Sequence, residues 1–449
     1  MILTLTLNPS LDRTIEVGEL ARGAVIRAGA ARLDPGGKGV NVSRALLANG
    51  VVSCAVVPFG GDEGRRLVHL LADEGLEMVM VPVRGATRSN VALAEPDGTV
   101  TKINEPGTAL SADELDTVAE AVLSAAHSAD WVVASGSLPP SVPHDVYAVL
   151  CRRFAGAGIH VAVDTSGPAL MAAVAAGPAL VKPNRDELAD VTGRRITCLG
   201  DAVEAAEKLR AAGARSVLAS LGAAGAVLVT EQGVWYGRCR VDEPRSTVGA
   251  GDAMLAGFLS ALSRHPTTTT PTPTTSPENR SPEDRSPGLR PAVSPSDPRP
   301  ASSLSDLGPA GSPSDPRPAG SPPDSRPAGS LSDLGPAGSP SDLRSWNGSV
   351  DLGTSDGALR PGNPARGNPA QGDAASGAEA RGDTARGAGG GRGEGLLVDP
   401  VVCERALREA LAWAAAAVEL PGSRMPSPSD IRRDRVRLLP ADPSTPLGE

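Results

Sequence analysis

The feature that most constrains the fold is a recurring pair of signals: a short β-branched run stopped by Gly, Pro, Ser, Asp or Asn, then a helical stretch. The runs are "VVSCAVVPFGGD", "DWVVASGSLPP", "IHVAVDTSG", "ALVKPNRDEL" and "RSVLASLGAAGAVLV", with patterns such as "DELDTVAEAVLSAAHSA" and "DAVEAAEKLRAAGA" between them. Near-continuous apolar runs mark strands buried on both faces, and the intervening helices supply the crossovers that parallel pairing requires. The expected fold class is α/β, a doubly wound, mostly parallel sheet flanked by helices. Ligands of such sheets bind beyond the carboxyl ends of the strands, where these polar endings fall.

One region departs from this pattern. Residues 89–107, "SNVALAEPDGTVTKINEPG", alternate apolar with polar and carry a "PDG" turn. This predicts a hairpin half exposed to water. With "DRTIEVGEL" and "AVIRAGAARLD" it predicts a small β-sheet lid, with strands near 12–34 and 88–105, closing over the strand ends.

A second break is compositional. From His265 to Gly395 the chain is Pro, Ser, Gly, Asp and Arg with hardly any large apolar residue, which leaves too little surface to bury against the entropy of ordering. It holds an imperfect nine-residue repeat, "SPSDPRPAG", "SPPDSRPAG", "SLSDLGPAG", without collagen's glycine period. The expected organisation is one α/β domain over 1–265, a long disordered insertion over 266–395, the rest of the domain over 396–435 and a tail over 436–449. Loop-closure entropy grows only logarithmically, so an exposed helix–helix turn tolerates such a length.

The net charge of -9 gives no basic footprint, so neither nucleic acid nor an anionic membrane surface is expected as a partner. The five cysteines, Cys54, Cys151, Cys198, Cys239 and Cys403, are scattered without a C-x-x-C, against a disulfide framework or zinc site. "MILTLTLNPS" enters a strand without a basic leader, and "LAWAAAAVEL" is too short to span a bilayer. A cytoplasmic, reducing location is expected.

Several stretches have chemical potential, each with a plainer alternative. "STVGAGD", residues 246–252, places small residues and then Asp252 at the start of a helix expected over 253–265. Such a start attracts anions through its unpaired N–H groups, although Gly249 and Gly251 also suit a tight turn and Asp252 suits the helix dipole. "DPGGKGVNVSRAL" is a second glycine turn into a helix, with Lys38 and Asn41, and matches neither the P-loop nor the dinucleotide spacing. "VKPNRDEL" reads as a capping box, Asn184 with Glu187, and equally as an amide and carboxylate facing hydrated Mg²⁺. Asp12 in "NPSLD" either closes an Asx-type turn or accepts from sugar hydroxyls; "SLGAAGAV" is either a hairpin or a loop for nucleotide phosphates.

Taken in order, "TLNPSLD", "GGKGVN", "GSLPP", "VKPNRDEL", "SLGAAGA" and "STVGAGD" resemble the motifs of the phosphofructokinase-B branch of ribokinase-like sugar kinases. The resemblance covers residues 1 to about 264 and resumes at about 396–431, where "WAAAAVELPGSRMPSPSDI" looks like the segment bordering adenine. "TLNPSLD" with "GGKGVN" is most similar to the 1-phosphofructokinase type and the related tagatose-6-phosphate kinases; minor 6-phosphofructokinases tend to have glycine at the Lys38 position. The resemblance implies a ribokinase-like sheet, ATP and Mg²⁺, and phosphorylation of fructose 1-phosphate to fructose 1,6-bisphosphate. Tagatose-6-phosphate kinase or 6-phosphofructokinase is the alternative within the family, and a noncatalytic sugar-binding or scaffold protein the alternative outside it.

By position, the resemblance implies Asp252 as catalytic base and Gly249, Ala250 and Gly251 as the anion hole. Asp12, Gly37, Lys38, Asn41, Arg88 and Ser137 fall on the sugar side, Arg88 holding the substrate's existing phosphate with help from Lys38. Lys182, Asn184, Ser220, Gly222, Gly225 and Thr247 fall on the ATP side, with Asn184 and Glu187 toward Mg²⁺ through water. Such kinases often dimerise through their lids, so a homodimer is also implied.

Overall fold

The computed structural model describes residues 1–263 and 399–448. The expected disordered insertion, with its repeat, lies outside the described residues.

The chain opens with β1 (Ile2–Thr6), β2 (Ser10–Glu16), β3 (Ala31–Gly36), α1 (Lys38–Ala48), β4 (Ser53–Phe59), α2 (Gly61–Asp73) and β5 (Met78–Pro82). There follow β6 (Arg88–Ala94), β7 (Val100–Asn104), α3 (Ala112–Ala125), β8 (Trp131–Ser135), α4 (Val146–Ala155), β9 (His160–Asp164) and α5 (Gly167–Val174). Then come β10 (Leu180–Val181), α6 (Arg185–Thr192), α7 (Leu199–Ala211), β11 (Val217–Ser220), β12 (Ala226–Thr230) and β13 (Gly233–Cys239). The described order closes with α8 (Ala250–Leu262), α9 (Pro400–Val418) and β14 (Val436–Leu439).

Among the described residues ten strands form one sheet in the order β14-β13-β12-β11-β10-β9-β8-β1-β4-β5, parallel from β5 to β11 and antiparallel beyond. The chain moves outward from β1 to β5, then returns to β8 on the other side of β1. The crevice above β1 and β8 is therefore the topological switch point where such sheets take ligands. Register fixes what lines it: Thr6 pairs with Ser135 and Ser135 with Asp164, and Lys182 donates its N–H to Val163 O at 3.0 Å. The polar run endings thus lie in one row.

The lid is a separate sheet, β3-β2-β6-β7, whose β2 pairs parallel with β6 and whose outer pairs are antiparallel. "SLGAAGAV" is a hairpin turn, β11 and β12 pairing antiparallel around it.

Helices α8 and α9 pack antiparallel in the core: Arg405 donates to Ala261 O at 3.0 Å near one end, and Ser246 N–H to Val418 O at 3.1 Å near the other. Close approach depends on Gly257, where an added Cβ would lie 2.7 Å from Trp413 Cγ and 2.8 Å from Glu409 O. Burying side chains such as Phe258 and Leu259 here contributes about 2 kcal/mol each. The expected helix at 253–265 begins earlier, at Ala250, because Gly249 takes φ 76° and caps it, and Ala253 N–H reaches Gly249 O at 2.8 Å. It ends at Leu262, with Arg264 and His265 outside the described residues.

The segment expected to be a tail joins the fold. β14 pairs with the edge of β13, and Leu199 N–H at the start of α7 bonds Thr445 O at 2.8 Å. Its charged "RVRLL" gives no strong apolar pattern, and only the open edge of β13 recruits it. Among the described residues no helix is long and apolar enough to cross a membrane.

Candidate active site

Asp252 stands in the first turn of α8, one turn after Gly249, and is 7% exposed. Its Oδ2 accepts from Asn41 Nδ2 at 2.8 Å, which ties the start of α8 to α1. Burial, then the negative charge of Asp164, raises its carboxyl from 3.8 to about 6, against the lowering effects of Asn41, Lys38 and Lys182. At neutral pH the group is still ionised, with an elevated proton affinity suited to a general base. The other atom of the amide, Asn41 Oδ1, is buried without a partner and is available to a ligand hydroxyl.

Asp164, 1% exposed at the end of β9, receives both lysines of the site. Lys38 Nζ lies 2.7 Å from its Oδ1, and Lys182 Nζ 3.0 Å from its Oδ2. Burial pushes the Asp164 carboxyl up, but Lys182 and Lys38 outweigh it and hold the group below its ordinary value. Burial disfavours charge on Lys38, yet Asp164, Glu187 and Asp252 together keep it firmly protonated. Lys182 also reaches α8: a Cβ on Gly251 would stand 3.3 Å from its Nζ. The anion-attracting helix start and a buried ammonium therefore share one spot.

On the lid, Ser10, Asp12, Arg88 and Asn90 fall on one face, since Ser10 registers with Arg88 and Asp12 with Asn90. Asp12 Oδ1 accepts from Ser10 Oγ at 2.7 Å and from Asn90 Nδ2 at 2.8 Å. Arg88 is oriented by carbonyls, Nη1 on Glu105 O at 2.9 Å and Nη2 on Asn8 O at 3.0 Å. Burial lowers its pKa, while nearby Asp12 and Glu105 act the other way. Asn8 extends the chain of contacts to exposed Ser137, donating to its Oγ at 3.2 Å.

The arrangement suits phosphoryl transfer: a buried carboxylate, a helix start with an ammonium beside it, and a lid bearing an arginine. Residues 5–270 match the profile described as pfkB family carbohydrate kinase. The chain belongs to the PfkB family of carbohydrate kinases. It is 37% identical over 264 residues to 1-phosphofructokinase of Bacillus subtilis, an alignment spanning 59% of this chain and 86% of the relative. It is 40% identical over 262 residues to 1-phosphofructokinase of Rhodobacter capsulatus, spanning 58% and 83%. The solved phosphofructokinase-2 from Escherichia coli in complex with fructose-6-phosphate superposes with TM-score 0.55 at 35% identity, covering 58% of this chain and 86% of that one.

Within this PfkB fold some residues stand otherwise than the sequence suggests. Lys38 is turned to Asp164 and lies 4.0 Å from Glu187 Oε1, where it was expected to assist Arg88, because the buried carboxylate at the end of β9 draws it. Asn184 and Glu187 form the capping box, each accepting the other's backbone N–H at 2.8 Å, which leaves Glu187 Oε1 to face the site. Burial raises the Glu187 carboxyl against the pull of Lys38 and the Asn184 N–H. Ser220 lies beside Asn184 through a parallel bridge, Gly37 caps α1, Gly222 opens the β11–β12 turn, and Thr247 is exposed ahead of α8. Gly225 is a packing requirement: a Cβ there would run into Gly237 O of β13. The motif reading missed Asp164, Asn8 and Asn90. Their signals were present: a carboxylate ending "HVAVD", the amide opening "NPSLD", and period-2 spacing from Arg88 in "RSN".

Proposed function

We propose that this PfkB kinase transfers the γ-phosphoryl group of ATP to the C6 hydroxyl of fructose 1-phosphate, yielding fructose 1,6-bisphosphate and ADP. The observation that carries the reading is Asp252, buried at the start of α8, oriented by Asn41 and set beside Lys182. The Asp252 carboxylate takes the hydroxyl proton as the sugar oxygen attacks phosphorus and the bond to the β-phosphate oxygen breaks. The N–H groups of Gly251 and Asp252, ahead of the first i→i−4 bond at Ala253, stabilise the transferring phosphoryl together with Lys182. Asn41 Oδ1 accepts from a sugar hydroxyl, and Arg88 holds the substrate's own phosphate.

Mg²⁺ fits the donor set as a hydrated ion. Among the described residues no three His, Cys, Asp or Glu side chains converge into a metal cage, and Glu187 Oε1 is the carboxylate oxygen left over from the capping box. Glu187 would hold the ion through water with ATP phosphates completing its shell, and the ion would neutralise charge on those phosphates.

The choice of fructose 1-phosphate is supported by the two relatives named 1-phosphofructokinase and by Lys38 in "GGKGVN". Fructose 6-phosphate is the second reading, favoured by the likeness to the Escherichia coli enzyme seen with that sugar. ADP release from ATP and Mg²⁺, measured with fructose 1-phosphate, fructose 6-phosphate and tagatose 6-phosphate side by side, tests both. The expected result is a kcat/KM for fructose 1-phosphate at least about 100-fold above the others. Preference for fructose 6-phosphate replaces the first reading by the second, and turnover of none of the three overturns both.

A lid-to-lid homodimer is part of the proposal, supported by Ile103, 58% exposed on the edge strand β7. Sedimentation of wild type and Ile103→Lys tests it: a dimer is expected only for wild type, and a monomeric wild type removes the proposal.

A further inference from the structure

We infer that Asp164 is a positioning residue that keeps both site lysines off the catalytic base. The inference rests on the kinase reading above and assigns a task to a residue outside the sequence motifs that suggested that reading.

Five charged side chains meet at the strand ends: Asp252 from α8, Lys38 from α1, Lys182 after β10, Asp164 from β9 and Glu187 from α6. Opposite charges at such range attract strongly once water is excluded, so an ammonium without another partner would settle on Asp252. It would then compete with the sugar hydroxyl for the carboxylate and weaken it as a base. The observed pairing avoids this. Asp252 is oriented by a neutral amide, Asn41, while each oxygen of Asp164 takes one lysine.

The split also aims the two cations differently. On Oδ1, Lys38 leans toward Glu187, the side expected to meet metal and nucleotide phosphates. On Oδ2, Lys182 lies against Gly251 at the start of α8. An ammonium carries three N–H groups, so the pairing of Lys182 with one oxygen of Asp164 leaves donors to serve phosphoryl oxygens. A buried ion cluster is weak evidence for stability, since apolar packing generally does as well. The separation of two cations from one base gives this cluster a functional rationale.

Every charged group facing Asp252 bears on its titration: Asp164 raises its proton affinity, Lys38 and Lys182 lower it, and the Asn41 hydrogen bond also lowers it. Removing the Asp164 charge therefore leaves the lysines unopposed and moves the acid limb of the rate profile downward. A residue that merely supported the fold would change the rate and leave the limb in place.

The test uses the full chain with ATP, Mg²⁺ and the best sugar phosphate, comparing wild type, Asp164→Asn and Asp164→Glu, with thermal melts as a folding control. Asp164→Asn is expected to lose kcat on the order of 100-fold, to keep the sugar KM within about threefold, and to shift the acid limb of kcat/KM down by about one pH unit. Asp164→Glu restores the charge and not the spacing, so its limb returns toward wild type while kcat stays low. An unmoved limb in folded Asp164→Asn, at any rate, overturns the inference, and so does wild-type kcat in either variant. If Asp164→Asn does not fold, Asp164→Ser takes its place under the same criterion: reduced kcat with a lowered limb supports the assignment, and an unmoved limb ends it. Absence of turnover in wild type would instead sink the kinase reading.

Discussion

Replacing the proposed base should stabilise the protein while disabling it. The Asp252 carboxyl is raised from 3.8 to about 6 in the folded chain. A shift of about two pH units corresponds to about 3 kcal/mol. Because the folded value lies above the unfolded one, the native state holds a proton that the unfolded chain has already released. The stabilising effect is therefore complete below about pH 4 and is lost as pH rises through 6. At pH 8 wild type carries the whole cost of a buried, ionised carboxylate. Asp252→Asn removes that charge and can keep the contact, its amide oxygen accepting from Asn41 Nδ2 in place of Oδ2. Urea denaturation at pH 8 should show the variant about 1–3 kcal/mol more stable than wild type, with the gap closing to under about 1 kcal/mol near pH 4. The same variant should lose kcat on the order of 1,000-fold. A variant no more stable than wild type at pH 8, or a gap that ignores pH, would refute the argument that burial sets this site's proton affinity. Loss of function with a gain in stability is what a buried charge kept for chemistry predicts.

The same titration should appear in the kinetics, and two further consequences are independent of it. The pH profile of wild-type kcat/KM should have its acid limb near 6, where Asp252 titrates in the free enzyme; a limb near 4 would mean the carboxylate is solvated. Arg88→Ala should raise the KM for the sugar phosphate about 100-fold with a smaller change in kcat. Arg88→Lys should not rescue it, because Nη1 and Nη2 are oriented by two separate carbonyls, Glu105 O and Asn8 O. Gly257→Ala adds about 1 kcal/mol of helix propensity, yet should destabilise the protein by about 1–3 kcal/mol in urea, since the new Cβ meets Trp413 and the backbone at Glu409. A more stable Gly257→Ala would show that α8 and α9 can part without cost.

Much of this was legible in one dimension because the signals are local. Buried parallel strands require β-branched runs, and the polar stops at Ser135 and Asp164 mark their carboxyl ends. The alternation of residues 89–107 forecasts the hairpin β6–β7, although β6 is half-buried along its whole length and β7 mostly exposed, and the Asn184 to Glu187 spacing writes a capping box directly. Glycine at 249 forecasts a helix start, although its left-handed φ moved that start back to Ala250.

What tertiary structure decided is the pairing of charges far apart in sequence. Lys38, Asp164 and Lys182 each read alone as a turn lysine, a strand-end acid and a strand-end lysine. Only the register of β9 with its neighbours, and the docking of α1 over their ends, brings them together. The same holds for the amide from α1 that orients Asp252 on α8, 211 residues away, and for β14, a weak pattern given meaning by the open edge of β13. Local propensity depends on neighbours in the chain, and so the sequence by itself determined the elements and the order of the motifs. Coulomb forces and edge pairing depend on distance in space, and so which carboxylate meets the neutral amide of Asn41 and which holds the lysines was settled by the fold.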